Sequence, residues 1–145
     1  MAFNHPPQLD ENDRNALLSL ARSTLVAAFR GDAHGPLRAF ELTLSQSSQT
    51  LLEPHPCFVA IMSMGIQLRG CIGTLQTDSP LYQNIHEYTL KAAFCDPRFP
   101  PLKEEELDSV HLEITVLGPT LPLPNRDVIK IGTHGLVVQS HRQRG

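Results

Sequence analysis

Between residues 11 and 30, apolar side chains recur at Leu17, Leu20, Ala21, Leu25 and Ala28, a spacing that gathers them on one face of a helix. Asp10 stands where a carboxylate accepts from orphan first-turn amides, and Gly31 suits a helix end. An amphipathic helix over 11–30 is therefore expected. Residues 32–55 mix glycine, proline and serine around Leu37–Leu44, and periodicity leaves helix and strand equally open there. Two β-rich runs follow, Cys57–Met62 and Ile66–Ile72. Ser63-Met64-Gly65 lies between them, which predicts a hairpin, though without the Asn-Gly signal.

Ser79-Pro80 fits an N-cap followed by a first-turn proline. Leu81, Ile85, Tyr88, Ala92 and Cys95 then share a helical face until Pro97 forbids continuation. Glu104–Leu107 suits a single helical turn. Val110, Leu112, Ile114 and Val116 alternate with His111, Glu113 and Thr115, the pattern of a strand with one face in a core. Val128–Ile131 and Gly135–Gln139 read as two last strands. The order predicts an α+β fold with a mostly antiparallel sheet flanked by helices. Residues 1–9 read as a disordered tail, 10–139 as one domain and 140–145 as a polar tail.

Composition narrows the class. With 145 residues, 41% hydrophobic and 19% charged, the chain suits one domain and neither a disordered nor a fibrous protein. No apolar run approaches the ~20 residues that span a bilayer, and the start has neither basic nor apolar signal-peptide regions. A net charge of −3 without a basic stripe speaks against nucleic-acid binding. Three cysteines, Cys57, Cys71 and Cys95, form no C-x-x-C pair, so a reducing, cytoplasmic location is expected. His55 and Cys57 come closest to zinc spacing, but Pro56 sits between them, and no metal site is expected.

Three clusters could carry chemistry. In Leu68-Arg69-Gly70-Cys71-Ile72-Gly73-Thr74, strict strand alternation would put Arg69 and Cys71 on one face. The cation would then favour the thiolate; alternatively, Cys71 fills a core site and Gly70 and Gly73 serve a strand end. Asp96-Pro97-Arg98-Phe99 is held out by its prolines, and its charges could pair, cap a helix or meet a ligand. His111 and Glu113 lie two apart on a strand, as an acid–base pair or as a solvated sheet face. A Walker loop, a G-x-G-x-x-G fingerprint and a G-x-S-x-G elbow are all missing from the sequence.

Leu68-Arg69-Gly70-Cys71-Ile72-Gly73, preceded by Phe58-Val59, resembles the signature of the AMMECR-type domain, the A component of the AmmeMemoRadiSam system. The likeness continues through Pro80-Leu81, Ala92-Ala93-Phe94, Asp96-Pro97-Arg98-Phe99-Pro100-Pro101-Leu102, Glu106-Leu107, Glu113, Val116-Leu117 and Gly132 with His134-Gly135-Leu136. It covers roughly residues 15–138. The resemblance implies two subdomains with the Arg-Gly-Cys-Ile-Gly segment near a cleft between them, and it carries no settled reaction. It implies a Memo-type protein and a radical SAM protein as partners. Family members continue into a Leu-Leu-Pro-Gln-type motif and a closing helix, so the chain is expected to be short by several tens of residues. Thr115 stands where the family has serine, and Cys57 and Cys95 are expected in the core.

These readings leave two functional classes. In the first, a cleft with Arg69, Gly70, Gly73, Asp96, Arg98, Phe99, His111 and Glu113 binds a partner protein or small ligand, and Cys71 is inert. In the second, Cys71 is a catalytic nucleophile or redox thiol activated by Arg69, with His111 as base. Binding is favoured because no histidine sits where the motif alone would place a base. No cofactor is called for, and the oligomeric state stays open.

Overall fold

In a computed structural model of the protein, residues 7–137 are described. Asp10 opens the first helix through a reciprocal cap: its carboxylate accepts from the Asp13 amide at 2.7 Å, and that of Asp13 accepts from the Asp10 amide at 3.4 Å. The helix, α1 (Glu11–Ala28), buries Leu17, Leu20, Ala21, Thr24 and Leu25 on one face. The undecided stretch is helical: α2 (Gly35–Glu41), a 3₁₀ turn (Leu44–Gln46) and a single turn, α3 (Gln49–Leu52).

The expected hairpin forms as β1 (Cys57–Ser63) and β2 (Gln67–Thr74). Met64 at φ 50° and Gly65 at φ 84° supply two consecutive left-handed residues, which match the twist of a hairpin without an Asn-Gly pair. A bulge interrupts the pairing, because Met62 faces Leu68 while Ile61 faces Gly70 and leaves Arg69 unopposed. Next come α4 (Leu81–Phe94), a 3₁₀ turn (Glu104–Ser109) and β3 (Val110–Val116). The three strands form an antiparallel sheet in the order β2-β1-β3.

Helices cover one face of this sheet. Leu17, Leu20 and Ala21 of α1 meet Leu51, Cys57, Val59, Leu81 and Ile85 in one cluster; Leu25, Ile61, Ala92, Ala93, Leu102 and Val110 form a second. Leu112 packs against both, so the described residues share one helix-on-sheet core. Each fully buried leucine contributes roughly 1.5–3 kcal/mol. Asn84 fixes the approach to α4, its Nδ2 donating to the carbonyls of His55 (3.2 Å) and Ser79 (3.1 Å) and its Oδ1 accepting from the Thr77 hydroxyl (3.2 Å).

Several expectations need correction. Cys95 is exposed, because it is the residue at which α4 stops. The N-terminal flank of α4 is Pro80, with no side-chain cap bond. Val128–Ile131 is not a strand: a 3₁₀ turn occupies Arg126–Val128, and the amides of Ile129, Thr133 and His134 bond locally. Gly135, Leu136 and Val137 are not in a strand either; the rest of that expected strand, through Gln139, lies outside the described residues, as does the tail 140–145. A strand requires a neighbouring edge, and no described strand runs beside these residues. Of the stretch 1–9, residues 1–6 lie outside the described residues, whereas Leu9 packs against the core.

Candidate functional site

The sheet face away from the helices carries the residues of interest. Register places Cys71, Ala60 and Glu113 in one row, Leu68, Met62 and His111 in the next, and Gly73, Phe58 and Thr115 in a third. Gly70 belongs to the opposite face, where a Cβ would collide with the carbonyl oxygen of Ala92 in α4. Only glycine lets strand and helix approach so closely.

Among the described strands β2 lies at an edge, so the main-chain groups of Cys71 that point away from β1 need partners. The loop after α4 supplies them. Asp96 Oδ2 accepts the Cys71 N–H at 3.0 Å, and Arg98 Nη2 donates to the Cys71 carbonyl at 3.3 Å. Asp96 also accepts from the Arg98 amide and Nε, both at 3.0 Å, and from Nη2 at 2.8 Å. The pair thus stands in for one residue of a missing strand. Its carboxylate is 2% exposed, while the guanidinium side chain is 56% exposed and sits 5.5 Å from the Phe99 ring centroid. Hydrogen bonds from the Arg98 side chain and then the Cys71 amide hold the Asp96 carboxyl far below the usual carboxylate range.

The loop is shaped for this grip. Pro97 stops the helix, the Phe99 amide turns back to the Asp96 carbonyl (3.2 Å), and the Leu102 amide returns to Ala93 (2.8 Å). Leu102 itself is buried.

Arg69 does not meet Cys71. The bulge breaks the alternation on which that pairing depended, and the guanidinium turns to Glu106, Nε to Oε1 at 2.8 Å and Nη2 to Oε2 at 3.1 Å. It also donates to the Pro101 carbonyl at 3.3 Å. Bidentate, charge-assisted and 13% exposed, Arg69 fastens β2 to the segment before β3. This bond to Arg69 lowers the Glu106 carboxyl below its ordinary value. Glu106 was part of the family-like pattern, yet nothing in spacing announced it as the partner of Arg69.

Cys71 is half-buried, and burial pushes its thiol up; Arg98 pulls it down and Asp96 pushes it up by lesser amounts. The cation facing this thiol is therefore Arg98, not Arg69. Cys57, buried, is pushed up to about 12. His111 Nε2 and Glu113 Oε1 lie 3.2 Å apart and both are exposed, but Ala60 separates Cys71 from Glu113 in the row. Two strand spacings make that gap roughly 10 Å, outside the hydrogen-bond reach of a base.

The structure thus gathers Cys71, Asp96, Arg98 and Phe99, and leaves Arg69 and the His111–Glu113 pair apart from them. Gly73 lines a shallow depression of about 540 Å³ with Phe58, Thr74, Leu75, Gln76, Thr120 and Val137. Sequence reasoning missed a second polar group, Thr24, His34 and His86, whose histidines lie 52 residues apart and carry no spacing signal. Among the described residues, no group of three or more His, Cys, Asp or Glu side chains is placed to hold a metal ion, and no helix is long and apolar enough to cross a membrane.

Comparison with known proteins bears on these residues. A family model described as AMMECR1 matches residues 18–145. A protein of Aeropyrum pernix is 36% identical over 142 residues, 92% of this chain and 58% of that protein. A protein of Nanoarchaeum equitans is 46% identical over 88 residues, 57% of this chain and 49% of that protein. The crystal structure of an uncharacterized protein, PH0010, from Pyrococcus horikoshii is similar with a TM-score of 0.54 and 28% identity, covering 71% of this chain and 50% of that one. The chain spans about half the length of these relatives.

Proposed function

The chain belongs to the AMMECR1 family, and from that premise we propose that the open sheet face and the Asp96–Phe99 loop form a docking surface for a partner protein. The observation that carries this reading is the grip of Asp96 and Arg98 on the Cys71 main chain. It fixes the backbone of the motif and leaves its thiol half-buried with an elevated pKa, the opposite of an activated nucleophile. A shallow, open face also suits a protein better than a small molecule, which usually takes an enclosed, concave site. Phe58, Met62 and Leu68 offer apolar contact area, and Arg98 over Phe99 offers the rim cation that interfaces favour. The partners that the family resemblance implies are a Memo-type protein and a radical SAM protein, and the site would serve a modification or redox pathway in the cytoplasm.

A second reading, a cysteine-dependent enzyme, draws on one observation: the Arg98 charge lowers the Cys71 pKa against its burial. One experiment separates the two. Affinity for a Memo-type and a radical SAM protein is measured by calorimetry for wild type, Phe58→Ala and Cys71→Ser. Docking predicts at least tenfold weaker binding for Phe58→Ala and near-wild-type binding and pathway function for Cys71→Ser. Loss of pathway function in a Cys71→Ser protein that still folds and binds would favour the enzyme.

A further inference from the structure

His86 on α4 is 4% exposed, and both of its ring nitrogens are engaged. Nδ1 lies 3.1 Å from the Thr24 hydroxyl of α1, and Nε2 lies 3.1 Å from Nδ1 of His34, the residue that flanks α2. The two imidazoles are 5.2 Å apart between centroids. We propose that this His34–His86 contact is a proton-operated latch, which holds the first turn of α2 on the body at neutral pH and lets it go in mildly acidic solution.

Proton counting gives the direction. One hydrogen bridges the two facing nitrogens, so one imidazole donates and the other accepts. A single added proton, on whichever nitrogen outside the contact is bare, leaves that bridge intact. A second has to occupy the accepting nitrogen, where two N–H groups and two charges would face each other across 3.1 Å. Burial disfavours a charge on His86, and His34 adds to that effect, so its pKa lies below the ordinary histidine value. Glu41 of α2 and Glu87 of α4 act the other way by smaller amounts. Glu87 is itself paired with Lys91 at 2.6 Å, Glu41 accepts from the Tyr82 hydroxyl at 3.4 Å, and Asp32 is held by Arg38 at 2.8 Å. From α1, the group at the contact is the neutral Thr24 hydroxyl.

The open form, with freed imidazoles, binds more protons than the closed form. Acid therefore favours opening, by roughly up to tenfold per pH unit below about 6.5. Leu37 and Phe40 stay packed against the core, Phe40 stacking on Tyr82 with centroids 5.4 Å apart, so release frees the His34–Gly35 end of the helix. His34 makes no side-chain cap bond, so replacing it removes the latch without removing a helix cap.

The test is hydrogen–deuterium exchange of the full chain at pH 7.5 and pH 5.0, corrected for intrinsic rates, in wild type and His34→Ala. In wild type, protection of the Gly35 and Arg38 amides, which bond the Asp32 and His34 carbonyls, should fall about tenfold or more at pH 5.0 while α4 stays protected. In His34→Ala, the same residues should show low protection at both pH values. Wild-type protection independent of pH would overturn the latch. So would an unchanged pH response in His34→Ala, or a loss in α4 equal to that in α2.

Discussion

Two polar pairs beside the sheet's edge strands differ in what they hold. Asp96–Arg98 grips the N–H and C=O of Cys71 on an edge strand and keeps its carboxylate out of water. His111–Glu113, on the opposite edge strand, is exposed on both sides, and the contact between them joins two side chains of one strand. Both pairs were candidate site residues, and both place a charge two residues from its partner. The difference teaches that spacing identifies a pair, whereas the main chain it satisfies determines its structural weight. A buried amide without an acceptor costs far more than a surface ion pair contributes.

Breaking the grip should have the largest effect. Asp96→Ala leaves the Cys71 and Arg98 amides without their acceptor and should lower Tm by roughly 8 °C, read by calorimetry. The same carboxylate carries a pH signature. Its pKa is depressed by folding, so its contribution is fully present above the unfolded value, about 3.9, and is lost as pH falls below that toward the folded value. An Asp96→Asn variant should show less loss of stability between pH 5 and 2 than wild type. Removing Arg69's partner should come second. Glu106→Ala strands a guanidinium side chain that is 13% exposed, with a Tm loss of roughly 5 °C. The exposed pair should come last: His111→Ala and Glu113→Ala should each change Tm by about 1 °C or less. A loss at Glu113 as large as that at Asp96 would erase the contrast.

Much of the scaffold was legible in the chain, and the reasons are local. The spacing of Leu17, Leu20, Ala21 and Leu25 and the alternation from Val110 to Val116 are direct imprints of a helix and a strand packed on one core. The family resemblance brought Cys71 and the Asp96–Phe99 loop into view together, and they are in contact. Alternation failed at Arg69, because a bulge consumes one residue and no sequence signal marks it. The strand expected at Val128–Ile131 does not form either, because its β-branched residues find no edge to pair with among the described strands. Cys95 looked like a core position by helical spacing, but Asp96 and Pro97 end the helix there and leave it in solvent. The Thr24–His34–His86 contact joins three distant segments, and only the tertiary fold brings them together.

The central claim, that the grip on Cys71 holds its backbone rather than activating its thiol, is tested most directly by alkylation. The rate at each cysteine is followed against pH by mass spectrometry on the folded protein. Cys71 should react with an apparent pKa above that of a free thiol, about 8.5. Cys57, pushed up to about 12 and buried, should stay protected throughout. A Cys71 that alkylates rapidly with an apparent pKa well below 8.5 would contradict the account and make this thiol a nucleophile.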